Sequence, residues 1–364
     1  VIRTRTGRVT ALGRAWDGCQ ELEVLLDGVP GADPALALAY PALVGAPEVG
    51  DAVILNTTAV ALGLGTGGHH LVIAVLGRAP EDHRAGTGHL VKARYTPLQA
   101  TVLGVDEADS PHRAAMAAAA GLDGMPVVLA DLHSALPAIV AGVRSERPDA
   151  RVAYVMTDGG ALPLWYSRTV AGLAAAGWLA GSVTTGQSFG GDLEAVTVHA
   201  GLLAARAVLH ADVAVVTQGP GNLGTGLPWS FSGVAVGEAV NAVALLGGRP
   251  VASLRISQAD PRERHRGVSH HSLLAYGQVA TAEADVVVPR WAGLVPDGLV
   301  ARVDADVAAL ARRHRRVDVA VDGLREALVA SPVPLRTMGR DLDTELGYFL
   351  AAAAAGRHAA RLAG

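Results

Sequence analysis

Between residue 125 and about residue 328 the chain repeatedly sets a short, unbroken apolar run against a longer stretch with helical spacing, and few architectures accommodate that alternation. The runs are residues 127–130, 152–156, 181–184, 213–216, 251–256 and 286–288, joined by 317–321. A strand with one wet face alternates apolar and polar residues; these do not, so they read as strands buried on both faces. In the stretch 193–210, Leu193, Val196, Ala200, Leu203 and Ala207 share one helical face, with Asp192 as N-cap. Strands alternating with amphipathic helices predict an α/β fold: a parallel, Rossmann-like sheet with right-handed crossovers.

The chain before this region behaves differently. Short β runs at 7–12, 20–26, 36–44, 52–55, 70–76, 89–95 and 98–103 follow one another, separated by Gly, Pro and Asp, with no helix between them. That spacing suits a small all-β barrel or sandwich. The glycine-rich turn 63–68 reads as a loop needing positive φ, or as a backbone nest for an anion. Lys92, the sole lysine, alternates with Arg94 along one run and is expected as a solvated edge residue. Ser110-Pro111 marks a helix start leading into 113–120. The expected organisation is a β-barrel-like domain over 1–105, an α/β domain over 106–335 and a C-terminal helix within 336–364. In that last segment Asp341, Asp343 and Glu345 lead and Arg357, His358 and Arg361 finish, the charge order a helix favours.

A net charge of -4 gives no nucleic-acid or membrane footprint. One cysteine, Cys19, rules out a disulfide framework and a thiolate metal cluster, which fits a reducing compartment. The apolar stretches are interrupted before the roughly 18 residues a membrane span needs. A cytoplasmic protein is therefore expected, with self-association left open. The use of arginine in place of lysine, with abundant Ala and Gly, points to a GC-rich bacterial genome.

Polar motifs follow the predicted strands one by one. Asp131-Leu132-His133-Ser134 follows the first, Thr157-Asp158-Gly159-Gly160 the second, TGQSFGGD (185–192) the third, TQGPGNLGTG (217–226) the fourth, and RISQADPRERHRGVSHH (255–271) ends the fifth. In open parallel sheets ligands bind beyond the carboxyl ends of the strands, so these loops are expected to share one site. TDGGALP, GQSFGGDLEAV, QGPGNLGTG and RERHRGVSHH, behind a β-rich front ending in GHLVKARYTPLQ, together resemble an uncharacterised bacterial family known only as a domain of unknown function. The resemblance spans essentially the whole chain and implies no activity.

The residues must then be read for themselves. Gly219, Gly221 and Gly224 fit G-x-G-x-x-G, but Pro220 occupies the tight turn and no acidic strand end follows about 20 residues on, so a dinucleotide site is disfavoured; a P-loop lacks its lysine. What remains is a glycine loop ahead of a helix near 232–246, suited to phosphate or carboxylate, or simply a turn. Gly186-Gln187-Ser188-Phe189-Gly190 matches a nucleophile elbow, which offers Ser188 with Asp260 and His265 or His270 as a serine hydrolase. In the Arg/His stretch, Arg262, Arg264 and Arg266 are expected to bind the anion, and His265 or His270 to move protons, with Asp158 orienting them. His265, His270 and His271, joined by Asp131, His133 or Asp158 from adjacent strand ends, are the candidate ligands of a divalent metal, if one is bound, with Asp131, His133 and His271 the set expected first, although the spacing H-x4-H-H matches no established zinc motif. The bland alternative is a solvated basic loop in which His270 and His271 open a helix near Ser269. The leading expectation is an enzyme, of hydrolase or phosphoryl-transfer type, acting on a small phosphorylated or carboxylated molecule; a serine hydrolase and a non-catalytic metabolite or nucleotide sensor are the alternatives.

Overall fold

The structure, a computed structural model, describes residues 2–29, 31, 33–78 and 88–364. It divides into two compact units, one of residues 1–87 with 93–101, the other of 88–92 with 102–364. The first unit is a closed five-stranded barrel. Its strands are Thr4–Trp16, Cys19–Leu26, Ala35–Ala39, Ala52–Asn56 and His70–Val75. The last of these pairs parallel with Ala35–Ala39, and every other neighbour is antiparallel. Alternation writes the core: Leu22 and Val24 point inward with exposed Glu23 between them, meeting Val9, Ala37, Val53 and Leu55. Two register shifts in Thr4–Trp16 supply the bending that closure requires. The run expected at 36–44 ends as a strand at Ala39 because Pro41 opens a helical turn, Pro41–Val44, and a second turn, Thr58–Ala61, also interrupts the β pattern.

The second unit is built on eight parallel strands. Their spatial order is Leu193–Ala195, Gly181–Thr185, Val152–Thr157, Val213–Gln218, Pro126–Leu129, Arg249–Ala252, Asp285–Arg290 and Arg315–Ala320. The two central members, Pro126–Leu129 and Val213–Gln218, are buried end to end, and Val152–Thr157 is buried in all but its last residue, as their apolar runs require. Pro126–Leu129 connects in one direction, to Val152–Thr157, whereas Val213–Gln218, lying between those two, connects in the other, to Arg249–Ala252. Right-handed crossovers send such opposed connections to opposite faces. The packing agrees: helix Leu136–Glu146 lies on the C-terminal helix Leu346–Leu362, and helix Val198–Ala207 on helix Ala235–Leu245. The carboxyl ends of Val213–Gln218, Pro126–Leu129 and Arg249–Ala252 thus form a topological switch, the place where open parallel sheets bind their ligands.

One strand was hidden in the sequence. Leu193–Ala195 is an edge strand, and the helix expected from 193 starts only at Val198, where the Thr197 hydroxyl accepts from the Ala200 amide. Asp192 does not cap it; its carboxylate accepts from the Ser182 amide and hydroxyl. The C-terminal helix belongs to the second unit and is buried along most of its length. Its alanine run Ala351, Ala352, Ala353, Ala354 and Ala355 allows near backbone contact: a Cβ on Gly142 would lie 1.9 Å from the Ala353 carbonyl oxygen, and one on Gly356 2.0 Å from that of Ile139. No described helix is long and apolar enough to cross a membrane.

Candidate functional site

The Arg/His stretch is a folded ribbon, not a solvated loop. Ile256–Ser257 pairs antiparallel with Gly267–Val268, and the Ser269 amide donates to the Arg255 carbonyl. Gly267 has φ +70°, and a Cβ there would meet Arg302 and Asp306, so the return strand tolerates only glycine at that point. Ser269 then caps helix His270–Leu274, its hydroxyl accepting from the His271 amide. This ribbon and cap place three imidazoles together. The ring centroids of His265, His270 and His271 lie 4.3–5.0 Å apart, and one nitrogen from each falls within 4.8 Å of the others.

Two of the three rings, His265 and His271, are held from behind. His265 Nδ1 is 2.7 Å from Ser269 Oγ, which leaves Nε2 as its outward nitrogen. Phe231 stacks face to face on His271, with centroids 3.7 Å apart and planes 1° from parallel. His271 Nδ1 lies 3.4 Å from Arg255 Nη1 and 3.7 Å from Asp131 Oδ2. Buried Asp131 Oδ2 and His270 Nε2 have no hydrogen-bond partner among the described residues. Burial first, then the charges of Arg255 and Arg262, push the His265 imidazole down to about 3. Burial, His271, Arg264 and Arg255 push His270 down to about 4. Both rings are uncharged at neutral pH.

Behind the imidazoles is an ion-pair lattice centred on Asp260, which is fully buried. Arg262 grips it bidentately at 2.9 Å, Arg340 Nη2 reaches it at 3.2 Å and Arg255 Nη2 at 3.6 Å. Despite its burial, the contacts with Arg262 hold its carboxyl well below the usual range. Arg340 continues to Glu345 at 2.6 Å, and Glu345 accepts from the Ser257 hydroxyl. Arg255, Arg262 and Arg340 therefore stand against Asp131, Asp260 and Glu345, and the frame is balanced in charge.

The expected residues divide accordingly. His265, His270, His271 and Asp131 come together at the switch point. Arg264 lies on its exposed rim without an ion pair among the described residues, Nη2 3.9 Å from where a Gly226 Cβ would stand. Arg262 is committed to Asp260, and Arg266 donates to the Asp260 carbonyl, so neither guanidinium is offered as freely as Arg264.

The glycine loop spends several of its amides, that of Gly219 among them, inside the protein. It folds as a hairpin in which the Gly219 amide donates to Thr157, Leu223 to Ser232 Oγ and Thr225 to Ser230. Gly219 and Gly160 let two backbones touch, since a Cβ on Gly160 would lie 2.2 Å from the Gly219 carbonyl oxygen. Gly221 takes φ +88°, and Gly224 bridges to Phe231, so this hairpin is what returns Phe231 to His271.

The remaining expected residues lie elsewhere. His133 is buried with Nδ1 on Tyr154 and Nε2 on Ser167, both nitrogens being used outside the imidazole cluster. Asp158 accepts from the Gln187 amide in the neighbouring loop. The Ser188 hydroxyl is fully buried and donates to the Thr185 and Met156 carbonyls; no imidazole reaches it among the described residues. Lys92, expected in solvent, is fully buried. It donates to the Gly186 and Ser188 carbonyls and pairs with Glu194 at 3.2 Å, fastening the loop that carries Ser188.

Three participants were not picked out from the sequence. Phe231 is one of three phenylalanines in the chain, and its place just after the glycine loop was the available signal. Arg340 and Glu345 sit among acids that read as the opening of a helix, and nothing local ties them to Asp260. No curated protein and no solved structure matches the chain. A family model described as "protein of unknown function (DUF3866)" matches residues 36–356, and the chain therefore belongs to that family.

Proposed function

We propose that the chain is an enzyme that binds a small phosphorylated or carboxylated molecule at the switch point and hydrolyses it there. The observation that carries this reading is the convergence of three imidazoles, those of His265 and His270 uncharged at neutral pH, on one point at the carboxyl edge of the sheet, beside an exposed arginine that has no ion pair among the described residues. The Asp260 and Glu345 carboxylates behind the imidazoles are each matched by arginines, which leaves Arg264 as the cation on the exposed rim for an incoming anion. The imidazole end is where proton movement or water activation would take place. The cytoplasm is the compartment we assign, from the single cysteine Cys19, which is buried and forms no disulfide.

The test is a turnover screen over phosphomonoesters and short carboxylate esters with the wild type, Arg264→Ala and His270→Ala. The expected result is a rise in KM of about tenfold with little change in kcat for Arg264→Ala, the mark of lost ground-state binding, and loss of kcat for His270→Ala. Equal turnover by all three proteins overturns the assignment. Saturable binding without any turnover makes the chain a sensor instead.

A further inference from the structure

We propose that His265, His270 and His271 form the ligand set of one divalent transition-metal ion, with Asp131 as the carboxylate that orients His271. The inference extends the proposed function, but its support is independent of any reaction. Three imidazole nitrogens within 4.8 Å of one another are a donor set in search of a centre. A tetrahedral ion with metal–nitrogen bonds of about 2.0–2.1 Å needs its ligand atoms about 3.3 Å apart, so the set must close slightly. The ring free to close it is His270, which is half-buried and whose Nε2 has no partner among the described residues, whereas His265 is fixed by Ser269 and His271 by Phe231.

The second observation is Asp131. It is buried, and its Oδ2 is aimed at the cluster with no hydrogen bond among the described residues, 3.7 Å from His271 Nδ1. Arg255 Nη1 lies 3.4 Å from the same nitrogen. A metal held through His271 Nε2 leaves the ring proton on Nδ1, and Asp131 is the carboxylate placed to accept it. That is the carboxylate–histidine arrangement found behind many metal-bound imidazoles. Three imidazole nitrogen donors favour zinc, cobalt or iron over magnesium or calcium, which prefer oxygen. Three protein ligands also leave a coordination position open, as catalytic sites require.

The test uses the full chain and the metal alone. The protein is stripped with chelator, reconstituted with Zn(II) or Co(II), and assayed for bound metal and for the visible bands of four-coordinate Co(II). One equivalent per chain is expected in the wild type and in His199→Ala, an exposed histidine on another element. His270→Ala and His265→Gln should lose it, and Asp131→Asn should weaken it about 10- to 100-fold. Circular dichroism checks that each variant is folded, and His270→Ala, at a half-exposed position, is the variant least exposed to a folding failure. A wild type that takes up no metal, or a folded His270→Ala that keeps its full equivalent with unchanged Co(II) bands, overturns the proposal. Stoichiometric metal with no turnover on any ester leaves the metal site standing and removes the hydrolytic reading, so the two fail separately.

Discussion

Phe231 and His271 are stacked with their ring planes 1° from parallel and their centroids 3.7 Å apart, and through this contact the hairpin after one strand fixes an imidazole that follows another. Phe231 is nearly inaccessible, so truncation to alanine leaves a cavity as well as a loose ring, at a cost of about 3 kcal/mol or more. Leucine separates the two effects. Phe231→Leu retains most of the volume and should lower stability by less than about 1.5 kcal/mol, yet it removes the flat face that sets the His271 plane. The expected outcome is a nearly normal melting temperature with Co(II) affinity reduced about tenfold, the scale of an orienting contact. Unchanged affinity would mean that the stack only packs.

Asp260 carries three guanidinium contacts in a fully buried position. Removing its charge leaves buried Arg255 with the longer contact to Asp131 as its remaining carboxylate among the described residues, and breaking a buried pair on one side typically costs about 3–5 kcal/mol. Asp260→Asn should therefore shift the urea midpoint strongly, and more than Glu263→Gln, whose partner Arg302 is an exposed contact. Comparable midpoints for the two variants would show that the lattice is not what holds the ribbon.

The sheet could be read in advance because strands buried on both faces must be apolar at every position, a pattern that survives in one dimension. Leu193–Ala195 could not: three residues at an edge, one of them Glu194, show no period, and the helix that follows absorbs them. Lys92 was misplaced for a related reason. Its burial depends on Glu194 and on the carbonyls of a loop distant in sequence, and a lysine without its partner in view looks like surface. The imidazoles were legible as local density. Phe231, Arg340 and Glu345 were not, since what recruits them is the order of strands in space.

His133 gives a pH dependence with a definite sign. Its ring is enclosed by Tyr154 and Ser167, and burial lowers it from 6.5 to about 4. The unfolded chain therefore binds a proton here that the folded chain refuses across that interval. The contribution to stability is complete above pH 6.5 and declines as pH falls toward 4, by roughly 3 kcal/mol at most. Comparing chemical denaturation of wild type and His133→Gln at pH 7 and pH 4.5 isolates this group from the carboxylates. The stability gap between the two proteins should narrow on acidification; a gap that stays constant would show that the ring titrates normally in the fold.

Lys92 and Glu194 form the other buried pair whose loss can be measured. The Lys92 ammonium has three partners, Gly186, Ser188 and Glu194, and Glu194 in turn accepts from the Thr184 hydroxyl and the Gly190 amide. Burial acts on both toward the neutral form, lowering the lysine and raising the glutamate. Lys92→Met keeps the length of the side chain but leaves Glu194 buried without its cation, at a cost of about 3–5 kcal/mol. Adding Glu194→Gln removes the stranded charge, so the double variant should recover part of that loss. Because Lys92 is the only lysine, its ε-amine also reports opening directly. An amine-directed reagent should leave it unmodified in the native protein and label it at the rate of global unfolding in the wild type. If labelling is faster than unfolding, the Gly186–Glu194 segment opens by itself, and the pair is a local latch instead of a part of the global core.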